Sequence, residues 1–189
     1  MMYRLKFLFP NWNLYILCLI SILFCTCKGN NRPQTSGIPG QMIGSAIVFP
    51  RLLPFNMPEG MSVQSLLESS GHKIVAYVDS SGCEDCNIYN AIGIRGYELA
   101  LKHKQRDDIP FIYIFNTQDI GALQDRLRQQ GFYRYYFVDI ENTFLEKNRI
   151  PANQLFHTFL LKDGRVQVIG NPSTNQKIRD LYDKVLGLK

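Results

Sequence analysis

Lys73-Ile74-Val75-Ala76-Tyr77-Val78-Asp79-Ser80-Ser81-Gly82-Cys83-Glu84-Asp85-Cys86 is the stretch from which the rest of the chain is read. Ile74 to Asp79 is almost continuously apolar and rich in β-formers, the composition of a central strand buried on both faces. Ser80-Ser81-Gly82 ends it. The segment from Cys83 to about Lys104 then carries Ile88, Ile92 and Leu99 near helical spacing, with Gly93 and Gly96 as points where a kink is expected. Cys83 and Cys86 therefore fall at a helix N-terminus. Their spacing puts both sulfurs on one face of the first turn, within disulfide reach, where unpaired N–H groups and the helix dipole favour thiolate. The pair reads as a redox dithiol. The competing reading is a fixed structural disulfide, although so small a loop constrains the unfolded chain little.

Residues 1–27 read as an export signal. Arg4 and Lys6 supply a positive start, Leu14 to Phe24 is apolar and uncharged, and Cys25-Thr26-Cys27 closes the run. The run is short for a membrane span, which needs about 20 residues. Phe24-Cys25-Thr26-Cys27 resembles a degenerate lipobox with Cys27 as the lipidated residue, and a plain cleaved signal or an uncleaved anchor are the alternatives. All three export the domain. Lys28 to Gln41 is polar and rich in Asn, Gly and Pro, which suits a flexible tether between lipid and domain.

Processing at Cys27 would remove Cys18 and Cys25, leaving Cys83 and Cys86 as the free pair among the five cysteines. No disulfide framework is then available, so a domain of this size must be held by its core. The formal charge is +5, two units of which belong to Arg4 and Lys6. With no Lys/Arg cluster interleaved with aromatics, nucleic-acid binding has little support. A zinc site would want two more soft ligands than one CxxC provides, so no metal and no cofactor is expected.

The globular part, 42–189, has its clearest pattern from residue 73 onward. Before it, Ile43 to Phe49 is a candidate strand, Pro50, Pro54 and Pro58 mark an irregular stretch, and Ser62 to Ser70 is too short and mixed to assign. After it come a strand at Pro110 to Phe115, a helix at Asp119 to Gln130, and strands at Tyr135 to Asp139 and Gln154 to Leu161. Lys162-Asp163-Gly164-Arg165 then turns the chain into Val166 to Gly170. Asn175 to Leu186 is an amphipathic helix with Ser173 or Thr174 as its expected cap. The aromatic run Tyr133 to Phe137 fits strand composition better than a peptide-binding patch, and His72 and His103 are expected on the surface.

Strand, CxxC helix, strand, helix, hairpin and terminal helix is an order that resembles the thioredoxin fold over about residues 73–189. It looks most like the membrane-anchored thioredoxin-like lipoproteins of Gram-negative envelopes, whose hairpin carries a run much like Thr158-Phe159-Leu160-Leu161-Lys162-Asp163-Gly164. The resemblance implies an α/β domain with a thioredoxin-like central mixed sheet flanked by helices, here preceded by an N-terminal strand and irregular extension. It also implies Cys83 as the nucleophile and Cys86 as the resolving thiol.

The departures from that family are specific. Gly82 replaces a tryptophan, and Glu84 and Asp85 replace Gly-Pro between the cysteines, where like charge disfavours thiolate. The family's buried acid would fall near Tyr77, with Asp79 as the nearest substitute for proton handling. The family's cis-proline is absent, since Phe156 or His157 occupies that part of the chain and Pro151 lies too far upstream. Because a non-proline cis bond costs about 3 kcal/mol, a trans bond is expected there, with a groove unlike thioredoxin's. His157 is a candidate to stabilise a thiolate or shuttle a proton, the alternative being a strand histidine with no role.

These readings give an expected function: a lipid-anchored thiol–disulfide oxidoreductase, monomeric, facing the periplasm, whose partners are thiols and disulfides of envelope proteins. Lys28 and Gly29 after Cys27 lean towards the outer membrane. The alternative is a redox-inactive lipoprotein of the same fold that binds an envelope partner.

Overall fold

The computed structural model describes residues 39–79, 88–89 and 92–188. The expected leader, Cys27, most of the tether, Cys83 and Cys86 lie outside the described residues.

Six strands form one mixed sheet in the order β1-β4-β3-β2-β5-β6. They are β1 (Leu53–Phe55), β2 (His72–Val78), β3 (Phe111–Phe115), β4 (Tyr136–Val138), β5 (Thr158–Lys162) and β6 (Arg165–Ile169). The central strands β2, β3 and β4 run parallel, and β1, β5 and β6 are antiparallel to their neighbours. Chain order therefore moves outward from β2 to β4, then returns to the other side of β2 for the β5–β6 hairpin. The sequence-expected mixed sheet is present, and Lys162-Asp163-Gly164-Arg165 closes its hairpin. Asp163 and Gly164 both adopt positive φ there, 50° and 73°, the left-handed conformations that a tight turn between twisted strands requires.

Alternation sorts the strand side chains into two cores. Ile74, Ala76 and Val78 of β2 join Phe111, Tyr113 and Phe115 of β3 on one face. Val75 and Tyr77 join Ile112 and Ile114 on the other. Helices α2 (Arg95–His103), α3 (Ile120–Gln129) and α5 (Gln176–Val185) cover the first face through Tyr97, Leu101, Leu123, Leu127 and Tyr182. The second face is covered by short pieces: α1 (Val63–Glu68), α4 (Thr143–Asn148) and the segment from Met42 to Met57. A register shift between Leu160 and Leu161 sends Val168 to the first core and Val166 and Ile169 to the second, as a bulge should.

Four expectations need correction, and one unassigned stretch is a helix. Ile43 to Phe49 forms no strand; Ala46 makes an isolated antiparallel bridge to Arg165, with Gly44 at φ 82° and Pro50 breaking any longer ladder. The strand of this region is instead β1, which contains Pro54 and lies at the sheet edge, where a proline's missing N–H is tolerated. Ser62 to Ser70 holds α1, capped by Ser62, whose hydroxyl accepts from the Ser65 N–H at 3.3 Å. The strand expected from Gln154 starts only at Thr158, because Gln154–Phe156 is a 3-10 turn capped by Asn153. The terminal helix is capped by Asn175, which receives the N–H groups of Lys177 and Ile178, and neither Ser173 nor Thr174 serves. In the helix expected from Cys83 onward, positions 88–89 and 92–93 are helical, and a turn at Ile94 precedes α2, close to the glycines where a kink was expected.

Candidate functional site

The carboxyl end of β2 is where the chain's path diverges, with β3 and β4 to one side and β5 and β6 to the other. Such a switch point leaves a crevice outside the strand ends. Here it is a cavity of about 500 Å³, bounded by Ala76 to Asp79 on one wall and by Ala152 to Leu155, His157 and Thr158 on the other, with Asn171 and Thr174 beside them.

The wall around His157 is built by local hydrogen bonds. Asn153 accepts from the Leu155 N–H through its side chain at 3.0 Å and from the Phe156 N–H through its carbonyl at 3.0 Å, and the His157 N–H reaches the Gln154 carbonyl at 3.1 Å. This tight turn separates its side chains. Leu155 stands 69% exposed at the cavity rim. Phe156 packs into the second core and is not among the residues lining the cavity. His157 turns inward, 3% exposed, and its carbonyl accepts the Tyr77 N–H at 2.9 Å, which ties the turn to β2. Among the described residues no peptide bond is cis.

Asp79 is buried and lines the same cavity as His157. Burial lowers the His157 pKa from its ordinary 6.5, opposed by the bond to the Pro151 carbonyl and by the Asp79 charge. Desolvation prevails, so the ring is neutral at pH 7. Tyr77, at the family's acid position, is committed elsewhere. Its hydroxyl donates to Asn142 Oδ1 at 2.8 Å, its ring stacks on Phe144 at 5.2 Å, and His157 meets it edge-on at 5.6 Å.

A polar layer beneath the rim holds the strand ends together, and the sequence reading missed it. Asn116 Nδ2 donates to the Asp139 carbonyl at 2.7 Å, while the Asn116 and Asp139 N–H groups extend the ladders to Val78 and Phe115. The Asp139 carboxylate accepts the N–H groups of Thr143 at 3.1 Å and Phe144 at 2.8 Å, satisfying the start of α4. The available signal was an aspartate five residues ahead of the apolar pair Phe144-Leu145, a residue type suited to a helix start.

At the opposite end of β2, Lys73 is 1% exposed on the second face. Its ammonium donates to the carbonyls of Leu66, Leu67 and Ser69, at 3.3, 2.8 and 2.8 Å, and so closes the C-terminus of α1. His72 beside it is half-buried rather than on the surface, and burial, then Lys162 and Arg106, lower its pKa. No group of three metal-ligating side chains occurs among the described residues.

No family model matches the sequence, and no curated protein does. Solved structures do match. A solution structure of a thioredoxin-like protein in its oxidized form superposes with a TM-score of 0.50 at 11% identity, covering 76% of this chain and 97% of that one. A second, from Bacteroides thetaiotaomicron and described as a candidate protein disulfide isomerase, gives 0.53 at 14% identity, covering 76% and 87%. At such identities the likeness speaks for architecture alone, and with the six-strand mixed sheet flanked by helices it establishes that this chain has a thioredoxin-like fold.

Proposed function

We propose that this chain is a lipid-anchored thiol–disulfide oxidoreductase that exchanges disulfides with proteins of the cell envelope through Cys83 and Cys86. The observation that carries the reading is the cavity at the end of β2. The chain leaves its wall at Asp79 and reaches Cys83 four residues later, so covalent geometry alone keeps the two α-carbons within about 14 Å. The reading is supported by a buried histidine and a carboxylate that line that cavity, and by a fold whose solved neighbours include a candidate disulfide isomerase.

In this reaction the Cys83 thiolate attacks one sulfur of a substrate disulfide and the substrate's other sulfur leaves as thiolate. Cys86 then attacks the Cys83 sulfur, forming the intramolecular disulfide and releasing the second substrate thiolate. Two electrons pass to the substrate; the reverse sequence oxidises it. The direction depends on which form the fold stabilises more.

The test is reduction of insulin by dithiothreitol with and without the protein, together with Cys86→Ser, which removes the resolving thiol and should leave envelope proteins trapped on Cys83. Acceleration and trapped partners are expected. Silence in both favours the second reading, a redox-inactive lipoprotein that binds an envelope partner, for which the engagement of Tyr77 with Asn142 at the acid position is the favouring observation. For the anchor, Cys27→Ser should abolish incorporation of labelled fatty acid and release the protein from membranes.

A further inference from the structure

His157 is held by one ring nitrogen and left open at the other. Nε2 lies 2.9 Å from the Pro151 carbonyl oxygen. A carbonyl only accepts, so Nε2 carries the proton and the neutral ring has its lone pair on Nδ1. Nδ1 is buried and meets no hydrogen-bond partner among the described residues. Leaving a buried acceptor unpaired costs stability, and a fold that keeps one calls for an explanation.

The groups facing the ring narrow the answer. From β2 come the Tyr77 ring, edge-on, and the Asp79 charge; from the preceding segment comes the Pro151 carbonyl. The Tyr77 hydroxyl is turned to Asn142 and cannot serve Nδ1 at the same time as its sole donor proton is used. A carboxylate such as Asp79 offers acceptor oxygens rather than a donor. No donor among the described residues is directed at Nδ1. Because Nδ1 is shielded from solvent, a donor that reaches it must be small.

We infer that Nδ1 of His157 is the hydrogen-bond and proton acceptor for a thiol at the carboxyl end of β2, an assignment that rests on the dithiol reading above. The thiol is either one of the chain's own pair or that of a substrate polypeptide. In an exchange step the S–H proton passes to Nδ1 as that sulfur attacks a disulfide; one S–S bond forms, another breaks, and the departing sulfur takes the proton back from the imidazolium. Protons and electrons balance without a further reactant.

The experiment uses the whole protein. In the wild type, nitrogen NMR of His157 should show the Nε2–H tautomer, with the Nδ1 resonance moving between the dithiol and disulfide forms; an Nδ1–H tautomer or an unmoved resonance overturns the assignment even if no variant folds. His157→Gln can still offer an N–H to Pro151 but has no Nδ1. Disulfide exchange at pH 7 should slow about a hundredfold, the lower end of what a placed general base supplies, and imidazole should recover part of the rate in His157→Ala. A shifted pH profile of thiol alkylation in the substrate-free variant identifies the chain's own thiol, and a slowed exchange with an unshifted profile identifies the substrate's. If the wild type exchanges disulfides and His157→Gln matches it in rate and profile, the assignment fails alone. A wild type that exchanges none removes the dithiol reading and this assignment together.

Discussion

Lys73 and His157 are buried nitrogen side chains at opposite ends of the β2–β5 ladder, and the protein treats them in opposite ways. Lys73 spends its ammonium on three carbonyls of α1 and the following residues, with the Ser69 hydroxyl as a further acceptor. His157 spends one nitrogen on Pro151, and the other has no partner among the described residues. Burial lowers the pKa of both, so the difference lies in the partners supplied. A buried polar group with its hydrogen bonds complete stabilises; one left half-complete costs stability. One end of the sheet therefore has its buried nitrogen fully bonded, and the other has a buried nitrogen with no partner among the described residues.

That contrast can be broken by mutation. The largest effect is expected from Asp139→Ala, which leaves the Thr143 and Phe144 N–H groups without their carboxylate acceptor in the layer beneath the cavity. A loss of about 3 kcal/mol in urea unfolding is expected; a loss below about 1 kcal/mol would show that the layer does not hold the site. Lys73→Met keeps the volume but uncaps α1, and should cost about 2 kcal/mol. A neutral result would mean that desolvation of the ammonium offsets its bonds. Tyr77→Phe removes only the bond to Asn142, for about 1 kcal/mol by the same measurement.

The smallest effect at pH 7.5 should come from His157→Gln, within about 1 kcal/mol of wild type, and its signature is the pH dependence. A histidine whose folded pKa is lowered takes up its proton first in the unfolded chain, so stability is intact above 6.5 and declines as pH falls from there towards the folded value. His72 contributes with the same sign. Between pH 7 and 5 the wild type should lose stability more steeply than His157→Gln, by denaturant melts across that range; parallel curves would show that the ring is not protected from protonation.

The central part of this architecture was legible because its signals are local and strong. β2 and β3 are unbroken apolar runs, α3 and α5 carry one-sided periodicity, and Lys162 to Arg165 has turn chemistry. The second face was not legible. α1 and α4 have six residues each, too few for a helical period to emerge, and they persist through Ser62, Lys73 and Asp139, contacts that only the fold brings together. At the candidate site, the sequence offered Asp79, Phe156 and His157 as neighbours. Alternation continues through Asp79 and His157 into the cavity, but the 3-10 turn after Asn153 rotates Phe156 into the second core. The tautomer of His157 was beyond any sequence reading, since it depends on a carbonyl six residues away.

The attachment of residues 44–48 has a mechanical consequence. Gly44 and Ile47 donate to Val166 and Gly164 at 2.7 and 2.8 Å, Val166 donates back to Ser45 at 2.9 Å, and Val48 exchanges two bonds with the Asn148 side chain. Any pull arriving along the chain from before residue 39 is thus loaded first on the outer edge of β6 and on α4. Two strands, β6 and β5, separate the first load point from β2, whereas α4 touches β2 directly through Phe144 on Tyr77, so tension on the lead is divided between the rim of the sheet and the wall of the cavity.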